Sequence, residues 1–432
     1  MSFAFAMTLA AMFGLAALGT PISLSMIVAA VAYLAIKGQD LGLAAEQIIQ
    51  GLYDSFVILA VPLFIIAANV MNSGSITTRL NEFCVALVGR FRGGLGHVNI
   101  VVSIIFSGMS GSAVADAAGT GKISIDMMTK DNRYTPGYAA AITAASAVIG
   151  PIIPPSIPMV LYALVSDTSV GYLFIAGALP GLLIGAVLMA YNHFVAVRRN
   201  FPVDEKVPLA QLPRVTARAF PVLLMPFILL YGIYGGIATP TEAAAMAAAY
   251  ALLLAAFYYR ELTWKGLYAV TLDGARASAS IGLLIGGALI FNYIVAAENI
   301  PGTVSAWLTG IEISPLAFMV AVNLLLLVLG CLLDASTIIL VILPLFVPTC
   351  KALGIDLVHF GVVTVVNAMI GLITPPYGVL LFVTNAVTGI PLRTMIAEIW
   401  GFIAVLVAAL FAMILFPDIV LWLPRVFGYE GR

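Results

Sequence analysis

Three hydroxyls, Ser107, Ser110 and Ser112, crowd one short stretch, spaced by Gly108 and Gly111, with Asp116 about one and a half helical turns further on. A second cluster, Asp334, Ser336 and Thr337, interrupts another apolar run, with about fifteen apolar or small residues on each side of the aspartate. Hydroxyls and carboxylates of this kind suit a hard cation such as sodium, above all where backbone carbonyls freed from helical pairing stand nearby. Two stretches would free such carbonyls: Ile149-Gly150-Pro151-Ile152-Ile153-Pro154-Pro155 and Ile370-Gly371-Leu372-Ile373-Thr374-Pro375-Pro376. Proline removes a backbone donor and clashes with the preceding turn, and in hydrocarbon every backbone polar group needs a partner within the protein. A broken helix is tolerated there only where it is buried or lines a cavity, and two breaks in corresponding places point to a transporter's binding site. Serines among glycines also serve plain helix packing, but the break predicted opposite the first tip favours a cation. Asp334 within an apolar run costs several kcal/mol at the bilayer centre and reads as functional by default.

The elements that must position these residues are membrane helices. The 432-residue chain is 62% hydrophobic and 9% charged, with a mean hydropathy of +1.11, far from soluble composition. A net charge of −1 argues against a nucleic-acid partner. Cys84, Cys331 and Cys350 show no metal spacing and read as packing residues. His97, His193 and His359 are scattered and carry no metal motif. The first residues lack a basic leader region and a small-residue cleavage site, so they read as a first span rather than a removable signal.

Hydropathy predicts full spans near 3–19, 21–36, 57–73, 135–165, 171–197, 219–237, 240–258, 278–297, 357–389 and 395–423. Residues 37–56, 76–92 and 262–276 read as amphipathic surface helices. Stretches 97–128 and 314–350 carry the two polar clusters at their midpoints and could be spans or re-entrant hairpins. Charge favours hairpins. With the basic loop Val197–Ala219 placed in the cytoplasm, only Lys37, Lys351, Arg425 and Arg432 of the 19 Lys and Arg fall outside. The two halves are then inverted, as in many secondary transporters, and both termini lie outside.

Two motifs mislead. Gly119-Thr-Gly-Lys122-Ile-Ser124 resembles the end of a phosphate loop, but Asp116 and Ile123 stand where glycine and a hydroxyl are required, so no ATPase is implied. Gly108-Met-Ser110-Gly111 matches the nucleophile motif of intramembrane serine hydrolases, which need a histidine base at comparable depth. The three histidines fall near predicted span ends.

On these residues the chain resembles the large membrane subunit of the tripartite ATP-independent periplasmic (TRAP) transporters, over essentially its whole length. The most specific stretches are Phe106–Asp116, Gly150–Ser156, Ala238-Thr-Pro-Thr-Glu-Ala-Ala244 and Gly371–Pro376. The resemblance implies an all-α polytopic membrane protein with an inverted repeat, two re-entrant hairpins and two broken helices, split into a scaffold and an elevator-type transport domain. It implies sodium-coupled uptake of an organic acid across the bacterial inner membrane, with Na+ as the coupling ion. The implied partners are a small four-span membrane subunit and a periplasmic solute-binding protein.

Carried onto this chain, the first sodium site would use Ser107, Ser110, Ser112, Gly150, Pro151 and Ser156. The second would use Asp334, Ser336, Thr337, Gly371, Thr374 and Pro375. Substrate would lie between the tips, where broken-helix N-termini face an anion, against Ser110, Ser156, Asn367 and Thr374. The expected division is 1–96 for early scaffold spans, 97–197 for the first transport repeat, 198–313 for central scaffold, and 314–432 for the second repeat. C4-dicarboxylates, sialic acid and related sugar acids all remain open as cargo, and a stand-alone ion-coupled anion permease is the nearest alternative.

Overall fold

The computed structural model describes residues 2–53, 56–72, 75–203, 211–310 and 313–431, without the side chains of 56, 57, 75, 305 and 307–309. Lys206 and Arg432, both used in the charge argument, lie outside them. Helix is the only regular structure among the described residues, as expected where a chain must satisfy its own backbone groups.

The chain opens with α1 (Phe3–Ala17), α2 (Ile22–Ile36), α3 (Gly42–Tyr53), α4 (Ala60–Met71) and α5 (Ser75–Val88). The first repeat follows: α6 (Gly94–Ser110), α7 (Ala113–Ala118), α8 (Thr120–Thr129), α9 (Pro136–Ala147), α10 (Ile157–Ser166) and α11 (Val170–Arg198). Next come α12 (Leu212–Tyr234), α13 (Pro240–Leu253), α14 (Trp264–Ala297) and α15 (Ile300–Gly310). The second repeat is α16 (Pro315–Gly330), α17 (Ala335–Thr337), α18 (Val347–Ala352), α19 (Leu357–Gly371), α20 (Val379–Thr388) and α21 (Leu392–Leu415), with α22 (Asp418–Val426) after it.

Two bundles result. In one, α14 packs on α2, α3 and α4, α1 on α2, and α13 on α4 and α12. In the other, α9 packs on α21, α6 and α8, α19 on α16, and α11 on α6, α19, α21 and α22. The repeats interlock through their breaks. The limb after the first break, α10, packs on α17 and the π turn Ile338–Ile342, while the limb after the second, α20, packs on α7 and α8. Each broken helix thus braces the other half's hairpin. Small residues on α11 admit the first break: a Cβ at Gly177 would lie 2.4 Å from the Ile152 carbonyl oxygen, and one at Gly181 2.2 Å from Ile153. That close approach is the use of small residues in membrane bundles.

The helix boundaries correct the hydropathy reading in three places. Stretches 262–276 and 278–297 are not a surface helix plus a span but one 34-residue helix, α14. Asp273 and Arg276 lower hydropathy without breaking a helix, and the Ser278 and Ser280 hydroxyls bond back to Gly274 and Arg276 carbonyls. The last span ends at Leu415, and Pro417 separates it from α22. Finally, α1 and α2 are 15 residues each, or about 22 Å at the usual helical rise, short of the roughly 30 Å hydrocarbon core. Helices Val170–Arg198, Leu212–Tyr234, Pro240–Tyr258, Trp264–Ala297 and Leu392–Leu415 are long and apolar enough to cross unaided.

Candidate functional site

The first tip turns at Gly111, whose φ of +59° is a left-handed conformation that glycine adopts without cost. A Cβ there would stand 2.5 Å from the Pro155 carbonyl oxygen, so the tip rests directly on the first break. Ser112 then caps α7 by accepting the Ala115 N–H at 3.3 Å, and its own carbonyl oxygen lies 3.3 Å from where a Gly150 Cβ would be. Across the break, the Ser156 hydroxyl donates to the Pro151 carbonyl and accepts the Met159 N–H at 3.2 Å, capping α10. Ser110 is fully buried, and its oxygen meets the Ser112 N–H at 3.5 Å.

Ser112, Gly150, Pro151 and Ser156 thus lie together where tip meets break, with Ser110 next to the turning glycine. Ser107 departs from this set: its hydroxyl is turned back to the Ile104 carbonyl at 2.5 Å, within its own helix. A polar layer continues beneath the tip, where Asn99 donates to Thr143 at 2.8 Å and Ser103 to Ser146 at 3.0 Å. Asp116, noted in the sequence but left outside the predicted ligand set, is 1% exposed. One of its carboxylate oxygens accepts from Thr120, and Oδ2 has no partner among the described residues. The signal that could have promoted it is burial of an acid in a small-residue helix.

The second tip is built differently. Asp334 caps the short α17, accepting the Thr337 N–H at 3.1 Å and the Thr337 hydroxyl. Instead of a tip glycine over the prolines, Gly330 crosses Gly371: a Cβ on Gly371 would lie 2.7 Å from the Gly330 Cα. Thr374 turns its hydroxyl to the Ile370 carbonyl at 2.8 Å. Pro376 and Tyr377 are exposed, and Ser336 and Asp334 are half-buried. The peptide bonds Pro154–Pro155 and Pro375–Pro376 are both cis. Asn367 keeps its own Oδ1 buried without a partner among the described residues. It is fully buried and donates to the Asn323 carbonyl and amide oxygens at 2.7 and 2.9 Å, joining α19 to α16.

Two asparagines tie the other bundle to the hairpins. Asn72 donates to the Ala115 carbonyl on α7 at 2.9 Å, and Asn292 to the Leu340 carbonyl at 3.2 Å. Each leaves its own amide oxygen buried without a partner among the described residues. Sequence reading missed Asn72, whose role depends on a contact 43 residues away.

The arrangement gathers carbonyls, hydroxyls and acids near helix breaks, buried at the first and half-buried at the second. His97 lies on the same α6 as Ser110, 13 residues before it, or about 20 Å along the helix, too far to act as its base.

Residues 9–419 match the family described as "Tripartite ATP-independent periplasmic transporter, DctM component". The chain is 40% identical to the sialic acid TRAP transporter large permease protein SiaM of Vibrio cholerae, over 96% of this chain and 97% of that one. It is 38% identical to the C4-dicarboxylate TRAP transporter large permease protein DctM of Pseudomonas aeruginosa, over 87% and 88% respectively. Among solved structures, the YdaH transporter of Alcanivorax borkumensis, described as having an unusual topology, shares the fold. It aligns with a TM-score of 0.59 over 83% of this chain and 84% of that one, at 15% identity. The chain belongs to the TRAP transporters, a family of membrane transporters and not of enzymes, as their large permease, the DctM component.

Proposed function

We propose that this permease imports a carboxylate-bearing solute together with sodium, by an elevator movement of the hairpin bundle past the bundle of α1–α4, α13 and α14. The observation that carries the reading is the meeting of tip and break at Gly111 and Pro155. There the Ser112 carbonyl, the first break's Gly150 and Pro151, and Ser156 converge. Oxygen ligands of this kind suit a hard cation. The unpartnered oxygen of Asp116 adds a buried anionic group that a cation would satisfy, since an uncompensated buried charge is strongly unfavourable. Asp334 offers the corresponding charge in the second repeat.

Sialic acid and C4-dicarboxylates, named for two relatives, share a carboxylate, which supports that solute class. The family's tripartite description and the relatives' being large permeases support a small membrane subunit and a periplasmic binding protein as partners. Between the bundles α4 packs on α6 and α14 on the π turn Ile338–Ile342, with polar ties from Asn72 to Ala115 and Asn292 to Leu340, and an elevator movement would slide along these contacts. We read the location as the bacterial inner membrane, with the basic α11–α12 loop in the cytoplasm.

The test is uptake by the three components reconstituted in sealed vesicles. Accumulation should require a sodium gradient and be slow for the permease alone. Full uptake on a proton gradient without sodium, or equal rates with and without the partners, overturns the reading.

A further inference from the structure

Two adjoining cavities, of about 500 and about 650 Å³, share Thr78, Glu82 and Arg218 and open between α5, α12 and α8. Neither belongs to the hairpin tips. Three arginines line them: Arg79 on α5, and Arg214 and Arg218 one helical turn apart on α12. The Arg79 guanidinium lies 4.1 Å from the ring centre of Tyr259, which fixes its position. Against these stands one carboxylate, Glu82, and no ion pair links it to any of the three among the described residues. The second cavity is further lined by Val85 on α5, Val215 on α12, and Ile123 and Met127 on α8, with Asn81 and Gln211 as neutral polar neighbours.

Charge and apolar surface therefore share one cleft. Arg214 and Arg218 occupy the first turns of a helix that is otherwise apolar, which is the depth of lipid headgroups. A soluble anion would use the arginines and leave the apolar wall wet. An acyl chain without an anionic head would leave the arginines uncompensated.

We propose that this cleft binds an anionic phospholipid, its phosphodiester held by Arg79, Arg214 and Arg218 and an acyl chain laid along Val85, Ile123 and Met127. The inference does not depend on sodium coupling or on an elevator movement. Basic pockets between membrane helices are suited to such headgroups.

The test is native mass spectrometry of the purified full-length permease offered phosphatidylglycerol or phosphatidylcholine. Wild type should retain phosphatidylglycerol in preference, and each arginine near the surface contributes roughly fivefold. The double variant Arg214→Gln/Arg218→Gln should lose most of that preference, while Arg393→Gln, outside the cleft, should keep it. The double variant Arg214→Lys/Arg218→Lys guards against misfolding, because it keeps the charge and should keep the preference. Equal retention of both lipids by wild type overturns the proposal, as does unchanged preference in the Gln variant. Glycerol 1-phosphate provides the last arm: competition as effective as that of the lipid would mean that the apolar wall plays no part, which also overturns it.

Discussion

The two hairpin tips are made from matching parts yet are covered to very different degrees. At the first, Pro154, Pro155 and Ser156 are buried under the tip. At the second, Tyr377 is 57% and Leu332 61% exposed. The breaks themselves do not account for this, since in both the last helical turn tightens to short-range bonds, Gly150 N–H to Ala147 and Thr374 N–H to Gly371. The point of closest approach differs. The first hairpin turns on Gly111 and meets the break at its final proline, sealing it. The second meets its partner at Gly330 and Gly371, before the prolines, and leaves Pro375, Pro376 and Tyr377 beyond the contact. Where the backbones first touch decides how much of a break is shielded.

The largest effect is therefore expected at Gly111. Gly111→Ala forces a Cβ into both a left-handed backbone conformation and the Pro155 carbonyl, a combined cost of about 2–5 kcal/mol. Gly389 also has a positive φ, +73°, but nothing lies within 4 Å of its Cβ position, so Gly389→Ala should cost only about 1 kcal/mol. Thermal melts and vesicle uptake should both rank the two variants far apart. If they melt within about two degrees of each other, the tip does not clamp the break.

Next in size is a loss of transport without loss of fold. Asp334 both caps α17 and carries the second tip's charge. Asparagine caps about as well as aspartate, so Asp334→Asn removes the charge and keeps the cap. It should nearly abolish sodium-driven uptake and leave the melting temperature close to wild type. An Asn variant with wild-type uptake would reduce Asp334 to a helix cap and leave the two tips unequal in function as well as in cover.

These contrasts also mark what a sequence can disclose. Both breaks and both tips were legible, because Pro-Pro and Gly-Ser stretches inside apolar runs leave few alternatives in hydrocarbon. Helix ends were less so: hydropathy reports where polarity begins, and α14 runs past that point through Asp273 and Arg276. Hydroxyl direction was not legible: Ser107 and Thr374 were expected as cation ligands, and each donates its proton to a carbonyl of its own helix. Asn367 shows the same limit, since only packing places Asn323 beside it. The arginine cleft required α5, α8 and α12 to be brought together and could not be read locally.

A direct measure of unequal cover is thiol labelling in a background lacking Cys84, Cys331 and Cys350. A cysteine at Tyr377, 57% exposed, should react with a water-soluble maleimide at least about tenfold faster than one at Ser156, which is fully buried and should react only through local opening. Sodium should slow the first and leave the second unchanged. Equal rates would mean that the second break is as closed as the first.

The smallest effect is expected far from either tip, at the end of α14. Glu298 accepts from the Ser2 hydroxyl at 2.6 Å and Tyr33 at 2.7 Å, and pairs with Lys37 at 3.0 Å. The Ser2 bond, followed by those from Tyr33 and Lys37, lowers its pKa from 4.5 to about 2. A carboxylate depressed on folding contributes stability that is complete above its unfolded value and fades as pH falls through its folded one. The clasp joining α1, α2 and α14 should therefore hold at neutral pH and weaken from about pH 4.5 toward about 2. Glu298→Gln should flatten that part of the stability profile. Lys37→Gln removes only a partly exposed pair and should cost less than about 1 kcal/mol. Because this clasp ties three helices of the other bundle and touches neither hairpin, Lys37→Gln should leave Tyr377 labelling as it was. A change there would show that the cover of the second break depends on the whole α1, α2 and α14 packing and not on where Gly330 meets Gly371.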